Sequence, residues 1–294
     1  MVPVIRNLGV VALAALLGAC ATTPENAASP RESSVLAEAA LPVLPEHRLA
    51  VDDAEFDGLL LHREDRAVMI ASDVLHSSQI AHKEALKSRW LATALGPAGL
   101  YWTVSFIDVV NGAPVIVAEV QVTLTTDPPK AAIREVQPPR PLADDELARH
   151  RALASAAATQ WQRCSPQYTY STQFKLAGDH RVIDVRLMPA RQRADEFPLS
   201  GFHRLRYRET EYATPADTYA QTPTCLHVGQ ASGSEKPKDV ALRVDHTTSE
   251  TPTEFHVFMS LSYDRPLLVT TVRNRLTWLV VDGKIRRIVS PKGL

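Results

Sequence analysis

Acid, base and nucleophile fall close together at one place in this chain. The run Glu254-Phe255-His256-Val257-Phe258-Met259-Ser260 carries a carboxylate, an imidazole and a hydroxyl at even-numbered positions. Acyl transfer by a nucleophile and its base needs such groups within hydrogen-bond reach of one another. Phe255, Val257, Met259 and Leu261 alternate with His256, Phe258 and Ser260, which predicts a β-strand with Glu254, His256 and Ser260 on one face. At a rise of about 3.3 Å per residue, Ser260 then lies roughly 13 Å from His256, too far to share a proton. Glu254 and His256 stay close enough to interact, and on a sheet face such a pair is more often packing than chemistry.

The other reactive residue types are less organised. His180 with Asp184 is an unspecific pair, and His203 stands alone. Arg204, Arg206 and Arg208 form a cationic row on one strand face; this reads as a wet sheet face, with a carboxylate or phosphate site as the sharper alternative. His76 and His82 are six residues apart and so lie on different sides of a helix, a poor geometry for joint metal ligation. The chain has no Gly-x-Ser-x-Gly elbow, phosphate loop, dinucleotide fingerprint or His-Glu-x-x-His pair. The sequence therefore assigns no catalytic residue, no cofactor and no metal. A hydrolase would have to assemble its site from scattered residues such as His256, Glu254 and His203.

Those residues must be positioned by an α+β fold: an antiparallel β-sheet with a backing helix, preceded by a smaller helix-plus-hairpin region. The first region spans 46–126. In it, the apolar runs Phe56–Leu61 and Ala67–Ala71 flank a polar His62–Arg66 segment, which suits either a hairpin or a helix. Ala81–Leu95 reads as a helix stopped by Gly96-Pro97. Alternation over 102–106 and 116–124 predicts a hairpin around Asn111-Gly112, its loop slightly longer than two residues. Residues 127–141 hold five prolines and read as a linker or an extended crossing segment.

The second region, 142–294, opens with a helix. Asp144, Asp145 and Glu146 suit its N-terminal dipole, and Leu147, Ala154, Ala157 and Trp161 mark its expected buried stripe. Strands follow at 168–176, 183–187, 202–208, 239–244, 255–261, 266–272 and 276–281. The last of these turns at Asp282-Gly283 into 285–289.

Composition is ordinary for a globular chain, at 45% hydrophobic and 22% charged residues. A net charge of −1 excludes a general nucleic-acid binder, which needs a marked basic excess. The stretch 20–57 is acidic and 264–294 is basic, as solvated faces or as a surface for anionic lipid or an acidic partner. At the N-terminus, Arg6 precedes a nearly unbroken apolar run from Leu8 to Leu17, then Gly18, Ala19 and Cys20. That run is about half the ~20 residues a spanning helix needs.

Leu17-Gly18-Ala19-Cys20 resembles the lipobox of bacterial lipoproteins, a type II signal peptide over 1–19. The resemblance implies cleavage before Cys20, lipidation of Cys20 and a mature chain tethered to a membrane through residues 20–45, a flexible tether rich in Ala, Pro and polar residues. Ala21, in place of Asp, implies the outer membrane with the chain facing the periplasm. That oxidising compartment in turn implies a disulfide between Cys164 and Cys225, with two buried free thiols as the alternative. The segments Pro252–Phe258, Pro266–Val269 and Trp278–Ile285 resemble uncharacterised predicted envelope proteins, a likeness that implies no activity. The expected function is that of a lipid-anchored, non-enzymatic binding module with a periplasmic protein partner, for envelope maintenance or inhibitor-type action. The alternative is a hydrolase of peptidoglycan or another envelope polymer.

Overall fold

His47, Val51, Ala54, Gly58, Leu61, Glu64, Val68, Ala71 and Leu75 recur at spacings of three and four, and all are buried. This stripe makes one helix, α1 (Pro45–Ser77), 33 residues long, with proline in its first turn. At 1.5 Å per residue it runs for about 50 Å. The polar His62–Arg66 segment does not interrupt it, because Glu64 takes its turn in the stripe. The computed structural model describes residues 40–80, 83–86, 88–96, 98–193, 196–212, 214–220, 225–229 and 240–289. Cys20 and most of the expected tether lie outside the described residues. The last residues of the expected tether belong to the folded body: Leu41 N–H donates to the Arg287 carbonyl at 2.8 Å, and Val43 packs on the core.

The helix expected over 81–95 is instead a single turn, α2 (Lys83–Leu86), and a strand, β1 (Trp90–Ala94). Tertiary contacts override the helical spacing. Trp90 pairs with Phe106 and stacks on Tyr170 at 4.2 Å, and the Tyr170 hydroxyl donates to the Trp90 carbonyl at 2.7 Å. β2 (Tyr101–Val110) and β3 (Ala113–Thr123) form the expected hairpin. Its loop has two residues, fewer than expected: Asn111 and Gly112 both take positive φ, as a tight primed turn requires. The proline-rich segment read as a linker is β4 (Lys130–Pro141), the edge strand of an antiparallel sheet ordered β1-β2-β3-β4. An edge position tolerates prolines, which cannot donate to a ladder, and residues 136–139 buckle out where pairing jumps from Ile116–Arg140 to Ala118–Glu135.

A second antiparallel sheet is ordered β5 (Tyr168–Ala177), β6 (His180–Pro189), β8 (His203–Arg208), β9 (Asp217–Ala220). Helix α3 (Asp144–Ala158) lies on it through Ala148, Ala152 and Ala156, against Ile183, Val185, Leu205 and Tyr207. The expected stripe is therefore displaced: Ala154 and Ala157 are exposed, because the smallest residues at i, i+4 spacing set the contact face. A short ladder joins β7 (Glu196–Pro198) to β10 (His227–Gly229).

The third sheet is β11 (Leu242–His246), β12 (Leu267–Thr271), β13 (Leu276–Val281) and β14 (Lys284–Ile288). β11 and β12 run parallel, joined by a crossover through helix α4 (Glu254–Tyr263). The segment that carries Glu254, His256 and Ser260 is this helix and not a strand. It is buried on nearly every side, so apolar residues occur on every face and the apparent alternation carries no period. Asp282-Gly283 makes the expected turn, both residues at positive φ. The fold is α+β, with antiparallel sheets backed by helices, but built from three four-stranded sheets, one of them mixed. Val51, Ala54 and Leu61 of α1 join α4 and the third sheet in one core, whereas Ala67, Val68, Ala71 and Leu75 join the first sheet in another. Among the described residues no helix is long and apolar enough to cross a membrane.

Candidate functional site

The helical reading of 254–263 rearranges the acid, base and nucleophile. Ser260 now lies one turn after His256, yet its hydroxyl donates to the Arg265 carbonyl at 2.8 Å. His256 accepts the Thr253 N–H at Nδ1 (3.0 Å) and so caps its own helix. Its ring stands edge-on to His246, 4.7 Å between centroids. Burial holds His256 well below the ordinary histidine range, and burial together with Arg273 brings His246 down to about 4. Glu254 turns the other way, accepting from Arg204 at 2.7 Å with Arg186 at 3.5 Å. His203 bonds the Gln162 carbonyl at 2.8 Å. His180 is exposed beside Asp179 and does not meet Asp184. His76 faces Glu84, and His82 lies outside the described residues. Among the described residues, neither Glu254 with His256 nor His180 with Asp184 forms a dyad.

Arg204 and Arg206 of the arginine row are half-buried and paired with carboxylates. One face of the second sheet packs on α3, and the other carries Asp184, Arg186, Arg204 and Arg206 beneath α1 and α4. Arg206 clamps Asp184 through two bonds of 2.6 and 2.8 Å, while fully buried Arg186 reaches Asp57 of α1 at 3.2 Å. Lys175 also pairs with Asp57. Burial would raise the Asp184 and Glu254 carboxyls, but their arginine partners hold both below the ordinary range. Only Arg208, paired with Glu211, is the wet residue expected of the whole row. Such a layer fixes register between helices and sheet, because removing one partner strands a buried charge.

Glu64 of α1 is the exception in that layer. Its Oε2 accepts from Ser171 at 2.7 Å and from Gln173 at 2.8 Å, but Oε1 has no partner among the described residues. Burial lifts its carboxyl to about 7.

Beside this layer opens a cleft of about 470 Å³, between α1, β1, β5 and the first turn of α3. Its walls are Phe56 and Leu60 from α1, Trp102 from β2 and Phe174 from β5, with Gln173 and Lys175 alongside. That volume, and a mostly apolar lining with a few convergent polar groups, match the usual form of a small-molecule site. Arg140 holds the mouth in shape: it donates to Glu119 at 2.7 Å and to Glu146 at 2.7 and 2.8 Å, and Glu146 caps the Ala143 N–H. Arg149 reaches into the lining from α3, 6% exposed. Its guanidinium donates to the Ala92 carbonyl and the Thr93 hydroxyl, both at 2.7 Å, and Nε has no partner among the described residues.

Cys164 and Cys225 form a disulfide, Cα atoms 5.2 Å apart. Gly201, at φ +87°, lies so close that a Cβ there would meet the Cys164 Cβ at 2.5 Å. Among the described residues no three of His, Cys, Asp and Glu converge as a metal-ligand set.

Sequence reading missed the cleft altogether. Its residues come from five elements between positions 56 and 175, and the one local signal, an arginine in an otherwise alanine-lined helix face, resembles a surface charge. No protein-family model matches the chain, and no similar curated protein or solved structure was found.

Proposed function

We propose that this chain is a lipoprotein anchored through Cys20 to the periplasmic face of the outer membrane, where its α+β body binds a ligand and performs no chemistry on it. The lipobox supports the anchor, and the disulfide fits an oxidising compartment. The observation that carries the binding reading is the contrast between two places. The groups that the sequence offers a hydrolase, His256, Glu254 and His203, are each bound to a structural partner. The cleft, by contrast, joins apolar walls to a buried cation whose bonding partners are neutral. The hydrolase alternative draws no support from the geometry, since it would need one of those three groups free at a substrate surface. A protein partner for the basic segment after 264 remains compatible with this reading.

Two measurements test it. Cells expressing wild type and Cys20→Ser are fed a clickable fatty acid; labelling of the wild type alone supports the anchor, and equal labelling removes it. The purified full chain is then incubated with peptidoglycan sacculi. Release of soluble muropeptides that stops in His256→Ala or Glu254→Gln would replace binding with hydrolysis.

A further inference from the structure

We infer that the cleft is a site for a small amphipathic carboxylic acid, its carboxylate on Arg149 and its apolar body between Phe56, Trp102 and Phe174. The inference rests on the binding reading above and adds the class of ligand.

Three observations carry it. First, the charge at Arg149 is unmatched at contact distance. The cations nearest it touch carboxylates: Lys175 pairs with Asp57, Arg140 with Glu119 and Glu146, and Arg181 with Asp145 at 2.8 Å. Arg149 instead bonds a backbone carbonyl and a hydroxyl. A guanidinium has five N–H donors and binds carboxylates in pairs of parallel bonds, so two neutral partners leave most of its capacity over. Second, the acids that line the cleft are bonded to other cations, and although Glu146 and Asp145 act on Arg149 through space, neither bonds it. Asp145 is held by Arg181 and Glu146 by Arg140. Glu64 acts on Arg149 through space but directs its bonded oxygen to Ser171 and Gln173. Third, the walls suit a compact apolar body. Trp102 is fixed by a bond from its indole N–H to the Gly99 carbonyl at 2.8 Å, Phe174 lies under Arg181 at 3.7 Å, and Phe56 is half exposed at the rim. Apolar walls that are already rigid lose little entropy on binding.

Calorimetric titration of the full chain in detergent, corrected with protein-free micelles, compares 2-naphthoate with 2-naphthylmethanol, two probes of nearly equal shape. The acid is expected to bind at least tenfold more tightly, with the margin shrinking at high salt. In Arg149→Gln the margin disappears. Ala143→Trp, an exposed position on the cleft wall, weakens both probes at least tenfold and keeps the inference testable if Arg149→Gln does not fold. Equal binding of acid and alcohol, with both lost in Ala143→Trp, overturns the ligand class and leaves the cleft as a binding site. No binding of either probe, or binding unchanged in Ala143→Trp, overturns the inference together with the assignment of the cleft.

Discussion

Glu64→Gln separates the effect of the buried carboxyl from everything else in the charged layer. Glu64 is 1% exposed, and its carboxyl rises to about 7 through burial, against an ordinary value of 4.5. The folded protein thus keeps this proton in a range where the unfolded chain has released it. Stability contributed by the group is full below about 4.5, falls as pH rises toward 7, and stays low above that. At 1.36 kcal/mol per unit, the loss amounts to about 3 kcal/mol, of which about 2.5 kcal/mol falls between pH 5 and 8.5. Glutamine keeps an acceptor for Ser171 and Gln173 and places an amide NH₂ where Oε1 has no partner. Urea denaturation of both proteins at pH 5 and pH 8.5, followed by tryptophan fluorescence, reads the difference; other titrating groups cancel between them. The variant should gain about 2.5 kcal/mol on the wild type across that interval. A difference that does not move with pH refutes the reasoning. So does a variant that loses ground at pH 8.5, which would mean that Arg186 and Arg149 hold Glu64 ionised.

Three further outcomes follow from the packing. Gly58→Ala should destabilise by about 2 kcal/mol despite alanine's better helix propensity, because its Cβ would sit 2.4 Å from the Val257 Cβ and 2.7 Å from the Glu254 carbonyl; thermal melting checks it, and a raised melting temperature counts against this helix contact. His246 is held at about 4 by burial, below its ordinary 6.5, so its contribution is complete above 6.5 and is lost as pH falls, by about 3 kcal/mol at pH 4; the acid limb of the stability curve should flatten in His246→Phe. Replacing Cys164 and Cys225 by serine should cost about 4 kcal/mol for a crosslink spanning 61 residues, measured by urea unfolding of wild type and double variant under non-reducing conditions.

Local chemistry made some of this architecture readable in the sequence and hid the rest. Asn111-Gly112 and Asp282-Gly283 announce their hairpins because few other residue pairs take two successive positive φ values. Alternation over 168–176 marks a strand whose two faces meet different surroundings. The same rule fails at 254–261, where a helix buried on all sides loses its period. It fails again at 130–141, where proline signals a break in solvent but is tolerated on a sheet edge. Trp90 and Leu86 have helical spacing, yet a stacking partner 80 residues away, Tyr170, pulls Trp90 into a strand. Arg204 and Arg206 look wet in sequence because their partners, Glu254 and Asp184, lie on other elements. The cleft is invisible for the same reason: Arg149 differs from a surface arginine only through what α1, β1 and β5 place around it.

The proposed anchor and the inferred ligand together make an envelope-anchored chain that holds a small acid in the cleft beside Arg149. Native mass spectrometry of the protein released from envelopes in detergent tests it most directly, with wild type and Ala143→Trp analysed side by side. The expected result is a wild-type mass raised by the acyl groups on Cys20 and by one additional small acidic molecule, and an Ala143→Trp mass with the acyl groups alone. Identical spectra for the two proteins, with no small molecule on either, would contradict it.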